Sequence, residues 1–146
     1  MRICFFWSYI AFLFIATCTE NLSLFLAEQD LIFHFNGNPP VREFLNNDFD
    51  LQDPTYVSQK LGHIVSFFIL GVLAYSVWRS VFVVAIISLA VALSTEVAQL
   101  FFSRSGRLLD VGYDMAGASL FVVFVLGYRF VELVFKKMQI VFVDRR

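Results

Sequence analysis

The chain has 146 residues, of which 59% are hydrophobic and 16% charged, against roughly 25% charged in ordinary soluble proteins. That composition excludes a soluble globular domain and predicts one all-α integral membrane domain, with room for four spanning helices of about 20 residues and one sizeable loop. The net charge is -1, and no basic stripe with interleaved aromatics lies on a soluble segment, so nucleic acid is not an expected partner.

The first apolar run, ICFFWSYIAFLFIAT, predicts a helix over about 3–18. Its length also suits a signal-peptide core, with a weak cleavage site at 16–18, but an uncleaved first span is the favoured reading. Cys4 and Cys18 both fall in this run. Fourteen helical residues place them roughly 21 Å apart, too far to pair with each other.

Residues 20–59 predict a loop of about forty residues. Its first half, LSLFLAEQDLIFHF, is semi-apolar and fits a short interfacial helix, with His34 on the surface. The second half is rich in turn formers and should be irregular. A connection this long exceeds what compact packing needs, which points to a functional or covering role.

The next segments are expected at 61–78 and 81–102, joined only by Arg79 and Ser80 and therefore antiparallel neighbours. A fourth is expected at 109–128, where Gly112, Ala116, Gly117, Ala118 and Ser119 supply small residues for close helix approach. A surface-lying tail, 129–146, completes the chain. The expected fold is thus an antiparallel bundle of four transmembrane helices with an extracytoplasmic loop after the first.

Orientation follows from the bases in short flanks. Arg2, Arg79 and the tail bases Arg129, Lys136, Lys137, Arg145 and Arg146 fall on one side, and the acidic loop on the other. Both termini are expected in the cytoplasm of a bacterial cell. Arg104 and Arg107 oppose this count and are outweighed by it.

In this topology Lys60, His63, Glu96, Gln99, Arg104, Arg107, Asp110 and Asp114 all belong to the outer leaflet and form one polar layer. Glu96, Gln99 and Ser103 share a face of the third helix, and Asp110, Asp114 and Gly117 a face of the fourth. Glu96 lies eight residues before Arg104, which at the helical rise puts it roughly 12 Å below that arginine. Charge at this depth is costly, so the layer is a functional-site candidate. The bland alternative pairs Glu96 with Arg107 and Asp110 with Arg104 simply to fix helix packing. His63 has its own bland reading as an interfacial packing residue, and Lys60 as a snorkelling one.

Lys60-Leu-Gly-His63, then Glu96-x-x-Gln99, then Arg104-Ser-Gly-Arg-Leu-Leu-Asp110-Val-x-x-Asp114-x-x-Gly117 resembles the VanZ-like family of small bacterial membrane proteins. The pattern covers residues 60–117, and its specificity lies in the combined spacing. Two positions depart from it: Asp114 stands where the family usually has Asn, and Arg107 where a small polar residue is common. The resemblance implies a cell-envelope role, since the family is named for a protein associated with resistance to the glycopeptide antibiotic teicoplanin.

Four functions follow for the eight-residue layer. The first is binding of an anionic envelope or lipid-linked ligand, for which arginine forks suit phosphate. The second is an intramembrane hydrolase or transferase, with Glu96, His63 and Asp110 as catalytic candidates. Ser103-Arg104 followed by Asp110 and Asp114 resembles a lipid-phosphatase spacing, with Asp110 where the nucleophilic His would stand. The third is a divalent cation on Glu96, Asp110, Asp114 and His63, ranked low because the arginines repel it. The fourth is a transporter, which would need a homo-oligomer and has no broken-helix signature. No cofactor is otherwise expected; the expected partners are membrane lipids or an envelope precursor.

Overall fold

A computed structural model describes residues 1–20, 28, 31–46, 49–50, 52–102 and 104–143. Among them are four α-helices, α1 (Arg2–Cys18), α2 (Pro54–Trp78), α3 (Val81–Phe101) and α4 (Leu108–Val143), one 3-10 helix at Val41–Leu45, and no strand. By length and composition α2, α3 and α4 are apolar enough to cross a membrane; α1 is a shorter apolar helix.

Helix boundaries follow local chemistry. The Asp53 side chain accepts the Thr55 amide at 2.8 Å and Pro54 occupies the first turn, so α2 starts about two turns before its apolar stretch. It ends at Arg79, whose φ of 55° closes the last turn through its N–H to the Tyr75 carbonyl. Ser80 then caps α3 by accepting from the Val83 amide. Past residue 128, where a surface tail is expected, α4 stays helical and reaches 36 residues. At the helical rise that is about 54 Å, well beyond a hydrocarbon core of about 30 Å.

The apolar core joins Phe6 and Leu13 of α1, Phe67, Leu70 and Ala74 of α2, Val84, Val91 and Ala92 of α3, and Val111, Phe121 and Val125 of α4. Arg2 donates to the Ser76 carbonyl and Tyr9 to that of Ser66, so α1 follows α2 along its length. Between α2 and α4 the ladder runs from Lys60 with Asp110 to Tyr75 with Arg129. Two glycines make this contact close. A Cβ on Gly71 would sit 2.8 Å from the Phe121 ring, and one on Gly117 would collide with the Ile64 carbonyl. The outward faces are greasy, with Val65, Ile86, Val123 and Phe124 each more than half exposed, as expected of a surface solvated by lipid.

Of the semi-apolar stretch expected as an interfacial helix, residues 22–27, 29 and 30 lie outside the described residues, and Glu28 is helical. Residues 31–36 are not helical. They lie against the end of α3, where the Asn36 amide donates to the Phe101 carbonyl at 2.7 Å and Phe35 stacks on Phe101. The Glu20 amide donates to the Ile32 carbonyl, and exposed His34 pairs with Glu20 at 3.0 Å. Residues 31–36 therefore cover the end of α3. Cys4 and Cys18 are both free thiols.

Candidate functional site

Glu96 stands five residues before α3 ends, on a helix that apart from Gln99 is otherwise made of apolar and small residues. The chain does not continue upward from there: it turns and comes back against its own helix. The Arg104 amide donates to the Gln99 carbonyl, and the Arg107 amide donates to Glu96 Oε2 at 2.8 Å. Gly106 makes this return possible, because a Cβ there would overlap the Glu96 carbonyl. Glu96 caps the returning turn rather than lying isolated beneath it.

The carboxylate is held at its other oxygen too. Gln99, one turn along the same face, donates its amide to Glu96 Oε1 at 3.2 Å. Ser103, expected on that face, lies outside the described residues. Glu96 is 0% exposed, so these partners replace its water.

Asp110 and Asp114, one turn apart on α4, meet two residues of α2 that are likewise almost one turn apart. Lys60 pairs with Asp110, and His63 Nδ1 lies 2.8 Å from Asp114 Oδ1. The same nitrogen is 3.9 Å from Glu96 Oε1, so the imidazole stands between two carboxylates. The pairing of Asp110 with Arg104 is overturned. Lys60 reaches Asp110 through the interior, and Arg104 donates instead to the Glu20 carbonyl.

Two tyrosines complete the lysine's surroundings. The Lys60 ammonium lies 4.7 Å from the Tyr56 ring centroid and 5.7 Å from that of Tyr113, and the two hydroxyls approach to 3.3 Å. Sequence reasoning does not single them out. Their signal is spacing: Tyr56 is one turn before Lys60 and Tyr113 one turn after Asp110, visible once Asp53-Pro54 is read as a helix start.

A cavity of about 540 Å³ opens beside this cluster, lined by Lys60, His63, Gln99, Arg104, Arg107 and Asp110 among others. Phe12, Leu13 and Phe67 give it an apolar wall, and Thr17, Glu20, Ser58, Gln59 and Ser66 are polar lining groups unmarked in the sequence. Glu96 and Asp114 sit behind its surface, fully buried. All eight residues of the expected layer thus gather at one end of the bundle, six on the cavity wall and two behind it.

A family profile described as VanZ/LLP1 matches residues 3–132. The "Uncharacterized membrane protein YwnJ" of Bacillus subtilis (strain 168) is 39% identical over 131 residues, covering 88% of this chain and 94% of the relative. No solved structure matches the chain. The chain belongs to the VanZ/LLP1 family of membrane proteins.

Proposed function

We propose that this VanZ/LLP1 protein is an antiparallel four-span bundle of the bacterial cytoplasmic membrane that binds an anionic headgroup, from an envelope lipid or lipid-linked precursor, in its outer-leaflet cavity. The observation that carries the reading is the cavity itself. About 540 Å³, walled by apolar side chains on one flank and by Arg104 and Arg107 on another, suits a ligand with a greasy stem and a charged head. Arginine forks match phosphate geometry, and Arg104 and Arg107 both line the cavity.

The orientation rests on charge. Arg2, Arg79 and the basic end of α4 belong with the cytoplasm, and the acidic connection with the outside, which sets the cavity where envelope precursors and glycopeptides are met. A link to teicoplanin susceptibility fits that placement. The deciding experiment is native mass spectrometry of purified protein with a polyprenyl phosphate and with phosphatidylglycerol. Wild type should retain one of them and Arg104→Gln should lose it; equal retention by both proteins removes the reading.

One observation favours a second reading, an intramembrane hydrolase or transferase on the same ligand. The His63 imidazole is oriented by Asp114 while it faces the cavity, as a general base must be. Asp110 is a poor nucleophile here because Lys60 holds it. Lipid and envelope-precursor profiling separates the readings. An enzyme makes one precursor accumulate both in a deletion strain and in the strain complemented with Glu96→Gln.

A further inference from the structure

Glu96 and Asp114 are each 0% exposed, and they converge from α3 and α4 on one imidazole of α2. His63 Nδ1 lies 2.8 Å from Asp114 Oδ1 and 3.9 Å from Glu96 Oε1, and one donor atom from each residue lies within 4.8 Å of the others. The second oxygen of the Asp114 carboxylate, Oδ2, is buried without a hydrogen-bond partner among the described residues. An imidazole brings at most one positive charge to two carboxylates, and buried carboxylate oxygens left without compensation are costly. Charge and orphaned acceptor both call for a cation at this point.

We infer that His63, Glu96 and Asp114 form a binding site for a divalent transition-metal ion of the Zn²⁺ or Mn²⁺ class, with an open coordination position toward the cavity. The donor set decides the class. Mg²⁺ and Ca²⁺ take oxygen ligands, whereas an imidazole among the donors favours a borderline ion. Ligands about 2.1 Å from a tetrahedral centre lie roughly 3.4 Å from one another. The two separations at His63 Nδ1 straddle that value and the carboxylates lie within 4.8 Å of each other, so side-chain shifts of about half an ångström to an ångström admit the ion.

The surroundings are those of a metal site. Gln99 and the Arg107 amide each hold one oxygen of Glu96, the outer hydrogen bonding that fixes a carboxylate ligand's direction. Asp110 does not belong to the set, because Lys60 occupies it. Three protein ligands leave a four-coordinate ion one free position, and His63 is the member of the three that lines the cavity. This site does not rest on the anion reading: its three ligands are in place whatever the cavity holds.

The test is calorimetric titration of the full-length protein in detergent, stripped with a chelator, with Zn²⁺ and separately with Mn²⁺. One equivalent of one of these ions per chain is expected, weakened roughly 10-fold or more by Asp114→Asn and by Glu96→Gln. Glu132→Gln, which removes an exposed carboxylate far along α4, should leave it unchanged. No saturable equivalent in the wild type, or an undiminished affinity in Asp114→Asn, overturns the site. Co²⁺ loading of the wild type gives a reading that needs no variant. Ligand-field bands of a low-symmetry nitrogen and oxygen site support it, and the spectrum of the hydrated ion overturns it.

Discussion

Lys60 of α2 and Asp110 of α4 form an ion pair whose side chains are only 8% and 7% exposed, roofed by the Tyr56 and Tyr113 rings. Removing one partner of such a pair leaves the other charge buried and costs about 3–5 kcal/mol, while replacing both by apolar groups costs far less. Asp110→Leu and Lys60→Met alone should each lower the thermal unfolding midpoint in detergent steeply. The double variant should recover most of the loss. Strict additivity of the two losses would mean that the pair is not coupled.

Glycines 106 and 117 are close-approach positions and glycines 62 and 112 are not. An added methyl at Gly106 meets the Glu96 carbonyl and at Gly117 the Ile64 carbonyl, whereas nothing among the described residues lies within 4 Å of the Cβ position at Gly62 or Gly112. Overpacking costs about 1–3 kcal/mol, and an unhindered Gly→Ala change inside a helix gains up to about 1. Unfolding titrations of the four alanine variants should therefore split into two destabilised and two unchanged or stabilised. Tolerance of Gly117→Ala would contradict the α2–α4 approach.

The layer of Lys60, His63, Glu96, Gln99, Asp110 and Asp114 was legible because polar residues at helical spacing in an apolar chain have few places to go. Their partners were less so. Spacing says which residues share a face, but Lys60 with Asp110, rather than Arg104 with Asp110, depends on which face of α2 meets α4. Arg104 and Arg107 fall between two expected spans, but spacing does not say that this link folds back to place the Arg107 amide on Glu96. The extension of α4 past residue 128 was hidden by the charges of Lys136 and Lys137, which read as surface yet sit comfortably on a helix.

Glu96 anchors the turn through the Arg107 amide, so its substitutions should be graded by what they leave that N–H. Glu96→Gln keeps a carbonyl oxygen for it; Glu96→Ala leaves a partly buried donor unsatisfied, at a cost of about 1–3 kcal/mol. Trypsin reads this directly, because Arg104 and Arg107 flank the turn. Cleavage there should rise strongly in Glu96→Ala and modestly in Glu96→Gln. Equal rates in the two variants would assign the Glu96 effect to charge alone.

The count of spans turns on α1, whose 17 residues reach about 26 Å, slightly short of a hydrocarbon core. Its contacts argue that it crosses nonetheless. Arg2 reaches Ser76 and Phe6 packs on Trp78 at the far end of α2, while the Thr19 hydroxyl meets the Ile32 carbonyl at the covered, polar end. A helix lying flat on the membrane surface would not meet both ends. With four spans, Cys4 shares the side of Lys137 and opposes Gln52. An impermeant maleimide on intact cells should therefore spare Cys4 and Lys137→Cys and label Gln52→Cys, the last two placed in a Cys4→Ser background where buried Cys18 stays silent. A permeant maleimide should label all three. Labelling of Cys4 together with Gln52→Cys would leave α1 on the surface and three spans, and labelling of Cys4 together with Lys137→Cys, with Gln52→Cys spared, would invert the bundle and move the cavity to the cytoplasmic leaflet.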